Sequence, residues 1–159
     1  MNIRPARESE LPRLMELFDI ARAYMRRNGN TVQWVNGYPS ETLLRQDIGA
    51  GHLYVMEDAD GVYAVFAFIP GDDPTYAHIE GAWREDSAYG TLHRLGSDGT
   101  RRGVFAEAAA WAARQCPHLR ADTHAANLTM RHCMERAGFV YCGVIYVADG
   151  TPRVAYEKV

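Results

Sequence analysis

The sequence predicts an α+β fold: a mixed, mostly antiparallel central sheet flanked by helices. Three observations carry that expectation. Residues 8–27 place apolar side chains (Leu11, Leu14, Met15, Phe18, Ala21, Met25) at helical spacing. Residues 53–57 and 62–69 are two strand-like runs joined by Asp58-Ala59-Asp60-Gly61, a hairpin turn. The second half then reads strand, helix, strand, helix and a closing hairpin.

Taken in order, residues 2–6 form a short first strand. The first helix follows and stops at Asn28-Gly29-Asn30, residue types that accept the left-handed conformation of a helix end. Residues 32–39 are irregular and aromatic. Ser40 is placed to cap a second helix, closed by residues 49–51. The strand at 62–69 is apolar almost throughout, so burial on both faces is expected. Residues 71–74 are a loop, and residues 76–81 read as a short edge strand or as irregular chain. A strand at 89–96 leads through a turn at 97–103 into a helix that ends near Gln115, with Val104, Ala108, Trp111 and Ala112 on one face. Residues 119–124 are a strand. Residues 127–137 are a helix with the stripe Met130, Cys133, Met134 and Ala137, stopped by Gly138. Residues 139–147 and 153–158 form the last hairpin around Asp149-Gly150. No repeat, low-complexity tract or linker interrupts the order, so one domain over residues 1–159 is expected.

Composition narrows the function. The chain has 159 residues, 47% of them hydrophobic, enough for a real core. A net charge of −3 argues against a broad nucleic-acid surface. No run is long and apolar enough to span a bilayer, so no membrane partner is expected. The first eight residues carry no apolar signal region. Cys116, Cys133 and Cys142 have neither metal nor redox spacing, which points to a reducing, cytoplasmic setting. His118, His124 and His132 lack the short spacing of a zinc site, so no metal is expected.

The segment Leu95-Gly96-Ser97-Asp98-Gly99-Thr100-Arg101-Arg102-Gly103-Val104-Phe105 joins a strand to a helix. The first turn of a helix offers unpaired N–H groups and a positive dipole end. Glycines let a phosphate approach such a backbone, and Arg101 and Arg102 add charge. Alone, the segment reads more readily as a strand–helix turn with solvated arginines. No Gly-Lys-Ser/Thr closes it, which excludes a P-loop.

Further on, the strand at 119–124 leads into Asn127-Leu128-Thr129-Met130 and then Ala137-Gly138-Phe139. With these motifs the sequence resembles the GNAT acyltransferases over residues 1–159. The resemblance is nearest to a subgroup with an atypical loop, His93-Arg94 ahead of it and Gln33-Trp34…Gly37-Tyr38-Pro39 near the N-terminus. It implies a GNAT-like fold and transfer of an acetyl or other acyl group from CoA to a primary amine. By that resemblance the amides of Arg101, Arg102, Gly103, Val104, Phe105 and Ala106 cradle the pyrophosphate of acetyl-CoA. Asn127 bonds the pantetheine arm. The backbone of Leu95, Gly96 and Ser97 pairs with pantetheine, and an amide there binds the thioester oxygen. Three positions depart from the family pattern. Thr100 stands where a basic residue or Gln is usual, Phe105 where a small residue is usual, and Met134 where a tyrosine acid often sits.

Transfer to an amine needs a base, directly or through water. Glu80, just before the cofactor strand, and His93, on that strand, are the candidates; Asp122 and His124 are weaker ones. Gln33, Trp34 and Tyr38 fall in the region that lines the acceptor pocket in GNAT-like folds, and aromatic packing of a loop is the alternative. The acceptor is expected to be a small-molecule or peptide amine, and the aromatic edges leave a homodimer open. Two other readings stand beside the enzyme. One is a catalytically weak acyl-CoA-binding regulatory module on the same fold. The other, resting on the Gly-rich turn alone, is an unrelated nucleotide-binding protein.

Overall fold

The computed structural model describes residues 1–159. Eight strands hydrogen-bond in the order β1-β2-β3-β5-β6-β8-β7-β4, and the sheet is mixed. The chain divides into two compact units, Met1–Phe68 with Arg94–Val104, and Ile69–His93 with Phe105–Val159. Strand β5 runs from one into the other.

In the first unit, β1 (Asn2–Pro5), β2 (Leu53–Asp58) and β3 (Gly61–Pro70) are antiparallel neighbours. Helix α1 (Leu11–Arg27) starts three residues later than its apolar spacing suggests. Residues Glu8–Glu10 form a 3-10 turn instead, where the Arg7 N–H donates to the Glu10 carboxylate at 2.8 Å. The predicted stop holds: Gly29 has φ 85°, and the Asn30 N–H returns to the Met25 carbonyl at 2.9 Å. Helix α2 (Glu41–Gly49) is capped by Ser40, whose Oγ accepts from the Leu43 N–H at 3.1 Å. Leu14, Leu17 and Phe18 of α1, Leu44 of α2 and Val55 and Val65 of the sheet are fully buried in one cluster. Burial of such a side chain contributes about 1.5–3 kcal/mol each, which is why the helical stripe fixes α1 to this face. Six successive residues of β3, from Tyr63 to Phe68, are buried, as an apolar run covered on both faces requires.

The second unit holds β4 (Glu80–Gly81), the first half of β5 (Gly90–Ser97), β6 (Leu119–Thr123), β7 (Val140–Tyr146), β8 (Pro152–Lys158), and helices α3 (Val104–Gln115) and α4 (Leu128–Arg136). β5 and β6 are parallel over Gly90–Leu92, and β6·β8, β7·β8 and β4·β7 are antiparallel. The ambiguous segment before β5 resolves into a 3-10 turn, Pro74–Tyr76, and the two-residue strand β4. Gly81 and Gly143 face each other where β4 meets β7. A Cβ on either would lie 2.2 Å from the opposing backbone oxygen, so glycine is required at both. Tyr76, Tyr89, Ile145 and Ala155 form the local core. Beside it Arg120 lies between the Trp83 and Tyr89 rings, 4.0 Å from each, and donates to Glu157 at 3.0 Å. No helix is long and apolar enough to cross a membrane.

Candidate active site

In the first unit the Gly-rich segment is an ordered turn. Asp98 Oδ1 accepts from the Thr100 N–H at 2.9 Å and its hydroxyl at 2.5 Å, while Oδ2 accepts from Arg13 at 2.9 Å. Gly99 and Gly103 carry φ of 77° and 71°, the left-handed conformation that favours glycine. Helix α3 opens at Val104 directly after Gly103. The side chain of Arg101 points back to the β2–β3 hairpin, where Nε donates to Asp58 at 2.9 Å and the guanidinium lies 4.8 Å from the Tyr63 ring. Its charge is therefore already matched, and Arg102 is the exposed arginine of the turn. Val104 is buried, and in the second unit Phe105 is buried edge-on against Phe139, with centroids 5.5 Å apart. A large residue at 105 thus fills the core and presents only its amide at the helix end. Ala106 is exposed.

Upstream in the same unit, β5 carries an irregularity at Arg94, whose φ is 51°. A non-glycine residue in that region costs on the order of 1–3 kcal/mol and persists only when its surroundings hold it. Here Arg94 donates two hydrogen bonds to the buried Asp47, at 2.9 and 3.0 Å, and a third to the Tyr38 hydroxyl at 3.2 Å. Leu95 and Ser97 are half-buried. Gly96 is buried, and a Cβ there would come 3.1 Å from the Phe18 ring, so its smallness serves packing against α1. Of the three residues expected at the acceptor, Gln33 is buried and its side-chain oxygen accepts from Asn30 at 2.9 Å. Trp34 packs edge-on against Phe18 at 5.4 Å. Tyr38 alone is exposed.

In the second unit the structure gathers four polar side chains around β5 and β6. His93 Nε2 lies 2.9 Å from Asp73 Oδ2. Asp122, one step beyond the Leu92–Ala121 pair, brings Oδ2 to 4.0 Å from His93 Nδ1. The hydroxyl of the buried Tyr76 donates to that same Asp122 oxygen at 2.6 Å. Asp73 caps the 3-10 turn, its Oδ1 accepting from the Thr75 N–H at 2.9 Å and hydroxyl at 2.8 Å. Burial works to raise the Asp73 carboxyl, but the hydrogen bonds from His93 and Thr75 outweigh it and bring it down to about 2. Burial, then the charge and hydrogen bond of Asp122, push the Tyr76 phenol well above its ordinary value, so it stays a donor.

The other candidates stand apart from this cluster. Glu80 is exposed on β4, where it accepts from the Tyr146 hydroxyl at 2.9 Å. Within the second unit β4 is the edge strand, separated from β5 in the sheet order by β6, β8 and β7. Met134, at the position of the absent tyrosine, is buried. Asn127 is the N-cap of α4, its Oδ1 accepting from the Met130 N–H at 3.1 Å. Sequence reading missed Asp73 and Tyr76. Asp73-Pro74 is a capping signal that marks a turn but says nothing of what the second carboxylate oxygen faces.

No protein-family model and no curated protein sequence matches the chain. Solved structures do. A GNAT-family acetyltransferase from Streptococcus agalactiae 2603 is 32% identical, with a TM-score of 0.90, over 99% of this chain and 94% of that one. The ribosomal-protein-alanine N-acetyltransferase from Brucella melitensis matches at TM-score 0.65 and 17% identity, over 100% of this chain and 99% of that one. A GNAT-superfamily phosphinothricin acetyltransferase from Sinorhizobium meliloti, solved with acetyl-CoA, matches at TM-score 0.66 and 13% identity, over 99% and 86%. The last two relationships show the fold. The first shows the family: the chain belongs to the GNAT acetyltransferases.

Proposed function

We propose that the protein transfers an acetyl group from acetyl-CoA to a primary amine of a small molecule or peptide, with His93 as the base. The observation that carries the activity is the 32% identity to a GNAT acetyltransferase over nearly the whole chain. The half-buried imidazole held by Asp73 supports His93 over Glu80, which is exposed on the sheet's edge strand. The amides of residues 101–106 bind the pyrophosphate, with the exposed Arg102 as the side-chain charge of the turn, since Arg101 is engaged by Asp58. The neutral amine attacks the thioester carbonyl. A C–N bond forms, the C–S bond breaks with its electron pair on sulfur, and the amine proton passes to His93. The CoA thiolate leaves without a donor at Met134 and takes a proton from solvent afterwards, because a simple thiol has a pKa near about 8.5 and its anion is a fair leaving group at neutral pH.

Calorimetric titration with acetyl-CoA, followed by turnover with an amine library, tests the reading. The expected result is acetyl-CoA binding, and turnover that collapses in His93→Ala but not in Glu80→Gln. Acetyl-CoA binding without turnover of any amine would identify the regulatory module instead. Binding of ATP or GTP with no CoA affinity would overturn both.

A further inference from the structure

We propose that Asp73 is a positioning residue that fixes the ring proton of His93 on Nε2, leaving Nδ1 as the basic nitrogen; the inference rests on His93 being the base. The geometry restricts the alternatives. Asp73 is held from three sides. Its N–H donates to the Tyr89 hydroxyl at 2.8 Å, and its Oδ1 takes both Thr75 donors, so Oδ2 is left aimed at His93. An ionised carboxylate can only accept. At 2.9 Å the contact is a hydrogen bond only if Nε2 carries the proton, and a neutral imidazole then has its lone pair on Nδ1. The low position of the Asp73 carboxyl, about 2, keeps it ionised wherever the imidazole is neutral.

The other side of the ring fits the same assignment. Asp122 Oδ2 lies 4.0 Å from Nδ1, beyond hydrogen-bond reach. That oxygen already accepts the Tyr76 O–H at 2.6 Å, which holds Asp122 back from the ring. Nδ1 therefore keeps its lone pair for an incoming proton. Once it takes one, the imidazolium lies between two carboxylates, Asp73 bonded and Asp122 near, with the neutral phenol of Tyr76 completing the cluster. The transfer moves one proton from the amine nitrogen to Nδ1 and leaves Asp73 ionised throughout. This is the logic of an orienting acid in a catalytic dyad, built here from a turn residue and a strand residue.

The first arm of the test needs no turnover. In the 15N-histidine-labelled protein, with neutral imidazoles, long-range proton–nitrogen spectra report the tautomer of each of the six histidines, and His93→Gln assigns the signal. The expected result is a protonated Nε2 and an unprotonated Nδ1 for His93. A proton on Nδ1, or an even exchange between the two, overturns the proposal. In Asp73→Asn the preference should be lost, because the amide can donate as well as accept, and kcat should fall about tenfold or more while the acceptor KM holds. A lower melting temperature with tautomer and kcat unchanged would make Asp73 a structural cap only, and would also overturn it. Should the tautomer depend on Asp73 as stated while His93→Gln keeps full activity, the positioning holds and the assignment of His93 as base fails.

Discussion

Gly103→Asp separates the phosphate-binding turn from an ordinary strand–helix turn, and the structure sets the size of both effects. Gly103 has φ 71°, and a Cβ there meets nothing within 4 Å. The cost to folding is therefore only the left-handed strain, about 1–2 kcal/mol, and less for aspartate than for most residues. For a chain of this size that lowers Tm by about 2–4 °C per kcal/mol. The charge acts separately. A carboxylate at about 6 Å from one phosphate charge, at an effective dielectric of about 40, adds roughly 1.4 kcal/mol of repulsion, or tenfold in affinity. Gly103→Asn has nearly the same shape and tolerates the same φ without the charge, so it measures the strain alone. Acetyl-CoA titration at about 0.15 M salt, alongside melting, should show the Gly103→Asp protein weakened about tenfold and the Gly103→Asn protein far less. If the two variants melt alike and Gly103→Asp still binds acetyl-CoA like the parent, the placement of the pyrophosphate at this turn is refuted.

Three further outcomes follow. Asn127→Ala removes the cap on Met130 and should cost about 0.5–2 kcal/mol of stability. It should also weaken acetyl-CoA by about 0.5–1.5 kcal/mol, and a loss of stability with intact affinity would leave the cap as its whole role. Tyr38→Ala should raise the acceptor KM and spare acetyl-CoA affinity, since Tyr38 is the exposed member of the aromatic segment; equal damage to both would make it a prop for Arg94. Acid should destabilise the fold in a defined window. Asp73 is held at about 2, and Glu157 below its ordinary value, where burial is outweighed by hydrogen bonds from His118, the Arg84 N–H and Arg120. Folded carboxyls below their unfolded values contribute stability that is complete above about pH 4.5 and is lost as pH falls through the folded pKa. Asp73 alone is worth on the order of 2 kcal/mol, so Tm should drop between about pH 4.5 and 2, and a flat profile there would contradict these partners.

The fold was legible where one physical signal decided it. The helical stripe of α1, the Asp58–Gly61 turn, the Ser40 cap and the stops at Gly29 and Gly138 each depend on local chemistry that a sequence displays, and the structure places elements within a few residues of those marks. The segment between β3 and β5 was less readable because its order comes from partners distant in sequence. Trp83 gives its indole N–H to the Tyr76 carbonyl at 3.0 Å, the Arg84 N–H goes to Glu157 at 2.7 Å, and β4 exists only because Gly81 can lie against Gly143. Nothing local in residues 71–89 announces those contacts.

The site divides the same way. A turn that presents amides is a local object, and its glycines stand in the sequence; the direction of its arginines is not local. Arg101 looks like a phosphate ligand until the hairpin carboxylate at Asp58, 43 residues earlier, is seen to hold it. The base shows the opposite case. Glu80 and His93 are equal candidates as residue types, and their placement separates them: the turn after β3 sets Asp73 against His93, the parallel β5·β6 register sets His93 beside Asp122, and β4 lies at the far edge of its unit. A titratable residue becomes a candidate base through the groups that orient it, and for His93 these are Asp73, 20 residues before it, and Asp122, 29 residues after it and itself held by Tyr76. Replacing Tyr76 with Phe tests that view directly: releasing Asp122 toward the ring should give Nδ1 a carboxylate partner, and the His93 tautomer should become mixed. A His93 that keeps its Nε2 proton unchanged in Tyr76→Phe would mean that Asp73 alone sets the ring, and that Tyr76 serves only the core it shares with Tyr89 and Ile145.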